Sequence, residues 1–188
     1  MSNEKLSTYT NDLLNFNKHF LSVVRSQKTS DTLNNTKAVD LLHNIDIAIT
    51  TQINELENFD DLIEESRFEF FKEKAATLFG TIAGNIDTLR KDPVSKILRD
   101  DYTALSMLSS GYTMLYTAAL MNENTNLANF AKNSLERVAQ LIAETNQTMP
   151  FVVAEELADS NTEWNAIAKK ALTETQKAWK SENMLEEA

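Results

Sequence analysis

The chain carries few side chains suited to metal or acid–base chemistry. Its 188 residues include two histidines, His19 and His43, and no cysteine. A carboxylate-bridged di-iron bundle takes a glutamate from two of its helices and a Glu-x-x-His pair from each of the other two. No Glu-x-x-His pair occurs in this sequence. The lack of cysteine also excludes disulfides, thiolate metal sites and cysteine nucleophiles within this chain.

Five side chains are the candidate ligands for a metal site, namely His19, Asp46, Asp87, Asp101 and Glu136. Helical spacing places His19 at the edge of a groove and turns His43 outward. The four carboxylates are expected beside or opposite the apolar stripes, because burying an unpaired carboxylate is costly. Asp100 and Asp101 diverge by about 100° on a helix, so the solvated face is expected for this pair rather than acid–base work. A di-metal site built from the five candidates is the competing hypothesis.

Composition and missing motifs exclude several classes of function. Phosphate-binding glycine loops, serine-nucleophile elbows and HExxH helices do not occur in the sequence. A net charge of -10, from 28 acidic and 18 basic residues, disfavours nucleic acid and anionic lipid as partners. The first residues lack the pattern of a signal peptide, and the longest near-apolar run, Met114–Met121, is too short for a membrane span. We therefore expect a cytoplasmic protein that binds neither nucleic acid nor membrane.

Long amphipathic helices are the elements that would position these residues. Three glycines and two prolines leave few places to interrupt a helix. Apolar residues recur every three or four positions over seven stretches, which are approximately 3–27, 32–59, 62–90, 92–121, 126–146, 150–158 and 161–180. Short polar breaks make antiparallel neighbours of the first two helices, and likewise of the two that flank Asn122–Thr125.

Helix boundaries are predicted from capping signals. Ser30 or Asp31 is expected to cap the second helix, and Asp92-Pro93 to start the fourth. The sequence Thr148-Met149-Pro150 is expected to begin a separate short helix. Ser160-x-x-Glu163 resembles a capping box that opens the last helix.

Two helix faces suggest close packing. Gly80 and Gly84, one turn apart, predict the close approach of another backbone, for which Gly111 is the expected opposite surface. Three methionines at heptad spacing form a second face on the fourth helix: Met107, Met114 and Met121. We expect that face to pack against the crossover helix or a second subunit.

Three stretches resemble the YciF/YciE-type ferritin-like family of small bacterial bundle proteins. They are Asp12–Leu21, Ala76–Gly84 and Ser110–Glu136, and the likeness extends over roughly residues 9–147. The resemblance implies four core helices and a helical crossover. It also implies the loss of the metal ligands: Asn17 replaces a first-helix glutamate, Gly84 the crossover glutamate, Leu105-Ser106 a Glu-His pair and Arg137-Val138 an acidic pair, with Glu136 one place off.

The predicted fold class is all-α. Residues 1–148 are expected to form a ferritin-like up-down four-helix bundle, with residues 62–90 as the helical crossover. Residues 149–188 are expected to form a C-terminal helical extension packed on the same domain.

The expected function is that of a non-enzymatic, metal-free scaffold or interaction protein without a cofactor, and the resemblance implies a role in stress responses. A homodimer is expected, with Glu64–Phe71 and the helix of Trp164 and Trp179 as candidate surfaces. One alternative is an iron or manganese oxidoreductase or metal-binding protein. Another is a small-molecule carrier, which would need an apolar pocket above about 300 Å3.

Overall fold

The computed structural model describes residues 3–63 and 93–180. These residues form five α-helices and one turn of 3-10 helix, with no β-strand among them. The helices are α1 (Asn3–Gln27), α2 (Thr36–Leu56), α3 (Val94–Met121), α4 (Thr125–Glu156) and α5 (Trp164–Trp179), and the 3-10 turn is Asp60–Leu62. The prediction of an all-α helical bundle is confirmed.

Several predictions fall on residues outside the described ranges. They concern residues 64–90 of the predicted crossover, the glycine pair Gly80 and Gly84, the candidate ligand Asp87 and the candidate surface Glu64–Phe71.

Helices α1 to α4 pack as a bundle in which neighbours are antiparallel. α1 and α4 each lie against both α2 and α3. Gln27, at the end of α1, bonds to Asp101 near the start of α3. Asn35, at the start of α2, bonds to Glu155 near the end of α4. α2 and α3 therefore run in the same direction. α1 ends, and α2 and α3 begin, at one end of the bundle, which we call the Gln27 end. α2 ends at the opposite end.

The core is built from one stripe on each helix, stepped by three and four residues. On α1 the buried stripe is Leu6, Thr10, Leu13, Asn17, Phe20, Val24 and Gln27. Such a stripe stays on one face because 3.6 residues complete a helical turn. Burial of the apolar members of these stripes supplies the main driving force for folding.

Gly111 marks a close approach of α1 and α3. A Cβ atom added at Gly111 would lie 2.8 Å from Cδ2 of Leu13 on α1. A side chain at this position would therefore have to displace a leucine that is part of the core. The methionine face on the same helix is exposed: Met107, Met114 and Met121 are 37%, 50% and 68% accessible.

The start of α2 differs from the prediction. Ser30 and Asp31 are not its cap, because Asn35 holds that position and its side-chain oxygen accepts from the Ala38 amide at 3.0 Å. The Ser30 hydroxyl instead bonds to that of Thr32 at 2.9 Å. Loop contacts therefore occupy the side chain that the sequence pattern offered as a cap.

The predicted separate helix at Pro150 is also wrong. α4 runs without interruption through Pro150 to Glu156, so residue 149, where the C-terminal extension was predicted to begin, lies inside a helix. A proline inside a helix leaves one carbonyl without its amide partner. Val152, two residues after Pro150, is fully buried and belongs to the hydrophobic core.

The capping box predicted for the last helix is absent. α5 begins at Trp164 after Glu163, and Glu163 makes no side-chain cap. The preceding turn is closed by Asp159, whose Oδ1 accepts from the Thr162 hydroxyl at 2.6 Å and from the Asn161 amide at 3.0 Å. α5 then packs on α4 through the fully buried Ala168. No helix among the described residues is long and apolar enough to cross a membrane.

Candidate functional site

Among the buried polar side chains, one from each core helix belongs to a connected group in the interior. These are Asn17, Gln52, Tyr112 and Ser134, all fully buried, and we call them the central polar layer. Asn17 Nδ2 donates to Tyr112 Oη at 3.0 Å and to the Leu13 carbonyl at 2.7 Å. Gln52 Nε2 donates to the Ser134 carbonyl at 3.1 Å. These contacts connect α1 with α3 and α2 with α4, and the effect of Ser134 on the Tyr112 hydroxyl shows that the two pairs adjoin.

Tyr112 fills much of this level with its ring. It packs edge-on against Phe130, with ring centroids 6.0 Å apart. Burial raises the pKa of Tyr112 far above its ordinary value, and the side chains of Asn17 and Ser134 offset part of that rise. The phenol is therefore neutral at any physiological pH, and the central polar layer carries no charge.

The outer edge of the layer is closed by an ion pair between α2 and α4. The Arg137 guanidinium donates to both carboxylate oxygens of Glu55, at 2.6 and 3.0 Å. An ion pair at a half-exposed position fixes the orientation of its two side chains more than it stabilises the fold.

The candidate metal ligands are dispersed rather than assembled. Asp46 lies at the surface, where Lys28 and Arg25 approach it at 2.7 and 3.2 Å. Partial burial raises the pKa of Asp46, but hydrogen bonds and charge from Lys28 and Arg25 outweigh this and lower it overall. Glu136 is exposed beside Lys132. Within residues 3–63 and 93–180, no three histidine or carboxylate side chains lie close enough together to hold a metal ion.

The histidines lie where the spacing places them. His19 is half-buried, and burial lowers its pKa, which favours the neutral imidazole. His43 is exposed.

Asp101 contradicts the expectation of a solvated face. It is 1% accessible, and its Oδ1 accepts from Gln27 Nε2 at 2.9 Å. Burial raises the pKa of Asp101 to about 7; the Gln27 hydrogen bond lowers it and the negative charge of Asp100 adds to the rise. Position 101 lies three residues after Leu98 and four before Leu105, so the stripe itself was the signal that this residue is internal.

An apolar cleft lies between α4 and α5. Its volume is about 440 Å3. Apolar side chains from both helices form most of its wall, among them Met149, Pro150, Val153, Leu157, Ile167 and Ala171, and Asn146, Thr162 and Thr175 add the polar atoms. Two of these wall residues, Leu157 and Ile167, are 79% and 57% accessible, and Trp179 at the end of α5 is 57% accessible. We call the cleft and these three side chains the α4–α5 surface.

Comparison with known proteins adds no relative. A scan against models of known families finds no match, and neither does a search of curated proteins or of solved structures. The family resemblance therefore stays a prediction.

Proposed function

We propose that this chain is a metal-free, ferritin-like helical bundle that works as a scaffold or interaction protein rather than as an enzyme. The observation that carries the proposal is the central polar layer. Carboxylate-bridged bundles direct glutamates and histidines inward from all four helices. Here the same level holds two amides, a phenol and a hydroxyl, and Asn17 is the residue that replaces a glutamate in the family resemblance.

The order of the helices supports the ferritin-like part of the proposal. α2 and α3 run in the same direction, whereas a simple meander of four helices would alternate. Bundles with one long crossover have this order.

The α4–α5 surface supports the interaction part. Large apolar side chains that are grouped and exposed usually mark a binding surface. α5 has only one fully buried residue, Ala168, so most of its apolar area is not covered by α4. We propose that a second copy of the chain covers it, which gives a homodimer.

Native mass spectrometry with light scattering tests this function. We expect the wild type to have the mass of a dimer and Ile167→Glu that of a monomer, because a carboxylate at the centre of the interface cannot be desolvated cheaply. Ala166→Glu is the matched control, since Ala166 is exposed and lies about 100° from Ile167 around α5. It should keep the dimer mass.

The same spectra distinguish the alternatives. A wild-type monomer that carries a non-covalent apolar molecule would favour the small-molecule carrier, for which the cleft volume is sufficient. A wild-type monomer without added mass, even at high concentration, would contradict the proposed dimer.

A further inference from the structure

The Gln27 end of the bundle contains a buried carboxyl that the proposed function does not use. Asp101 lies in the second turn of α3, and Gln27 is the last residue of α1. Both side chains are almost fully buried, at 1% and 2% accessible. Their single hydrogen bond joins the end of one helix to the start of another.

Each partner has one oxygen left without a hydrogen bond, namely Asp101 Oδ2 and Gln27 Oε1. Two acceptors cannot bond to each other while the carboxyl is ionised. A protonated carboxylic acid, however, has one donor and one acceptor, and so has a primary amide. Both groups are planar, so a proton on Oδ2 would give each group one donor and one acceptor to offer the other.

Other charged groups around Asp101 do not stabilise its anion. Asp100 precedes it and carries the same charge, which raises the pKa of Asp101 further. Three cations of the adjoining segments are paired with other carboxylates: Arg99 with Asp100, and Arg25 and Lys28 with Asp46. On α4, the Glu156 carboxylate is occupied by the Ser95 amide, from which it accepts.

We propose that Gln27 and Asp101 form a proton-dependent clamp between α1 and α3. In the closed state Gln27 Nε2 donates to Asp101 Oδ1, and the protonated Oδ2 donates to Gln27 Oε1. Loss of the proton leaves a buried, unpaired negative charge facing an amide oxygen. The Gln27 end then loosens, where α1 ends, α2 begins and α3 starts.

The direction of the pH effect follows from the raised pKa. The folded state keeps a proton on Asp101 up to about pH 7, whereas an unfolded aspartate releases it near pH 4. Folding therefore takes up a proton between these values, and the contribution of Asp101 to stability falls as the pH rises through this window. The stabilisation by Asp101 is fully present below about pH 4, and the stability should not change further through this group well above pH 7.

Asp101→Asn tests the clamp, because an asparagine amide has the shape and the donor of the protonated acid without its proton. We expect the unfolding constant of the wild type, divided by that of Asp101→Asn, to rise roughly tenfold per pH unit between pH 5 and 7 and then level off. Above pH 7, amide exchange in the 28–35 loop should also be faster in the wild type than in this variant. Asp100→Asn keeps the Asp101 carboxyl and is the control. Its pH dependence should persist, but the upper end of the window should move to lower pH because the neighbouring charge that helps to raise the pKa of Asp101 is gone.

Titration of the Asp101 carboxyl carbon by NMR gives an answer that needs no variant. A midpoint near pH 7 in the folded wild type is expected. A midpoint below pH 5, or a ratio of unfolding constants that does not change with pH, would overturn the clamp. The clamp would also be overturned if Asp100→Asn lost the pH dependence of unfolding to the same extent as Asp101→Asn.

Discussion

At the scale of single residues, the interior departs from a purely apolar core at a few defined positions. Asn17, Gln52, Asp101 and Ser134 are all buried, and each occupies a step of three or four residues within its helical stripe. Residue type alone suggested solvent for Asp101, since isolated carboxylates are rarely buried. Position within the stripe was the better guide, because the neighbours at steps of three and four fix the helix face on which a residue lies, whatever its polarity.

Tyr112→Phe is expected to destabilise the protein. The phenol oxygen is the acceptor for Asn17 Nδ2, so its removal leaves a buried N–H without a partner. The expected loss is about 1–3 kcal/mol in the free energy of unfolding. Denaturant unfolding monitored by circular dichroism measures it. Tyr116→Phe is the control, because Tyr116 is half-buried at the edge of the core and should lose less than about 0.5 kcal/mol. Equal losses in both variants would contradict a special role for the Asn17–Tyr112 bond.

At the scale of helices, spacing predicted existence better than boundaries. α1 was predicted over the residues that it occupies, and the break before Thr125 was found, with Asn124 as the cap that accepts from the Leu127 amide. The sequence pattern predicts neither the Asn35 cap of α2 nor the continuity of α4 through Pro150. Capping signals are short and common, and the choice between two of them depends on which side chain already has a partner.

Pro150→Ala is expected to stabilise α4. Alanine restores an amide donor inside a continuous helix, where proline costs up to about 3 kcal/mol relative to alanine. Some contact in the α4–α5 cleft is lost, so the net gain should be roughly 1–2 kcal/mol, measured by denaturant unfolding. Pro93→Ala is the control, since Pro93 is exposed and precedes the first turn of α3. It should bring no gain. A Pro150 variant without a gain would mean that the helix is interrupted there.

At the scale of the whole molecule, two antiparallel hairpins enclose an interior whose polar groups are neutral at the central polar layer. The predicted groups for a competing metal site are separated: Asp46 pairs with surface cations, Glu136 is exposed and Asp101 bonds to Gln27. Asp87 lies outside the described residues. Among the described residues, these carboxylates do not converge with His19 on a common point.

Elemental analysis tests the metal-free proposal. Protein produced in medium with iron and manganese is expected to contain far less than one metal ion per chain, because the central polar layer offers no anionic ligand. One or two ions per chain, lost in the double variant His19→Ala with Asp46→Ala, would contradict the proposal. Ions that survive this change would point to adventitious surface binding, which a chelator wash removes.

The sequence by itself determined the all-α fold, the bounds of α1 and the pairing of α3 with α4, because these follow from local periodicity and short connections. The tertiary structure alone decided that Asp101 meets Gln27, that Tyr112 meets Asn17 and that α4 passes through Pro150. Such contacts join residues far apart in the chain, and their energies depend on burial and on partners that local sequence does not encode. The exposure of the α4–α5 surface also depends on tertiary packing, because only Ala168 of α5 is fully covered by the rest of the bundle.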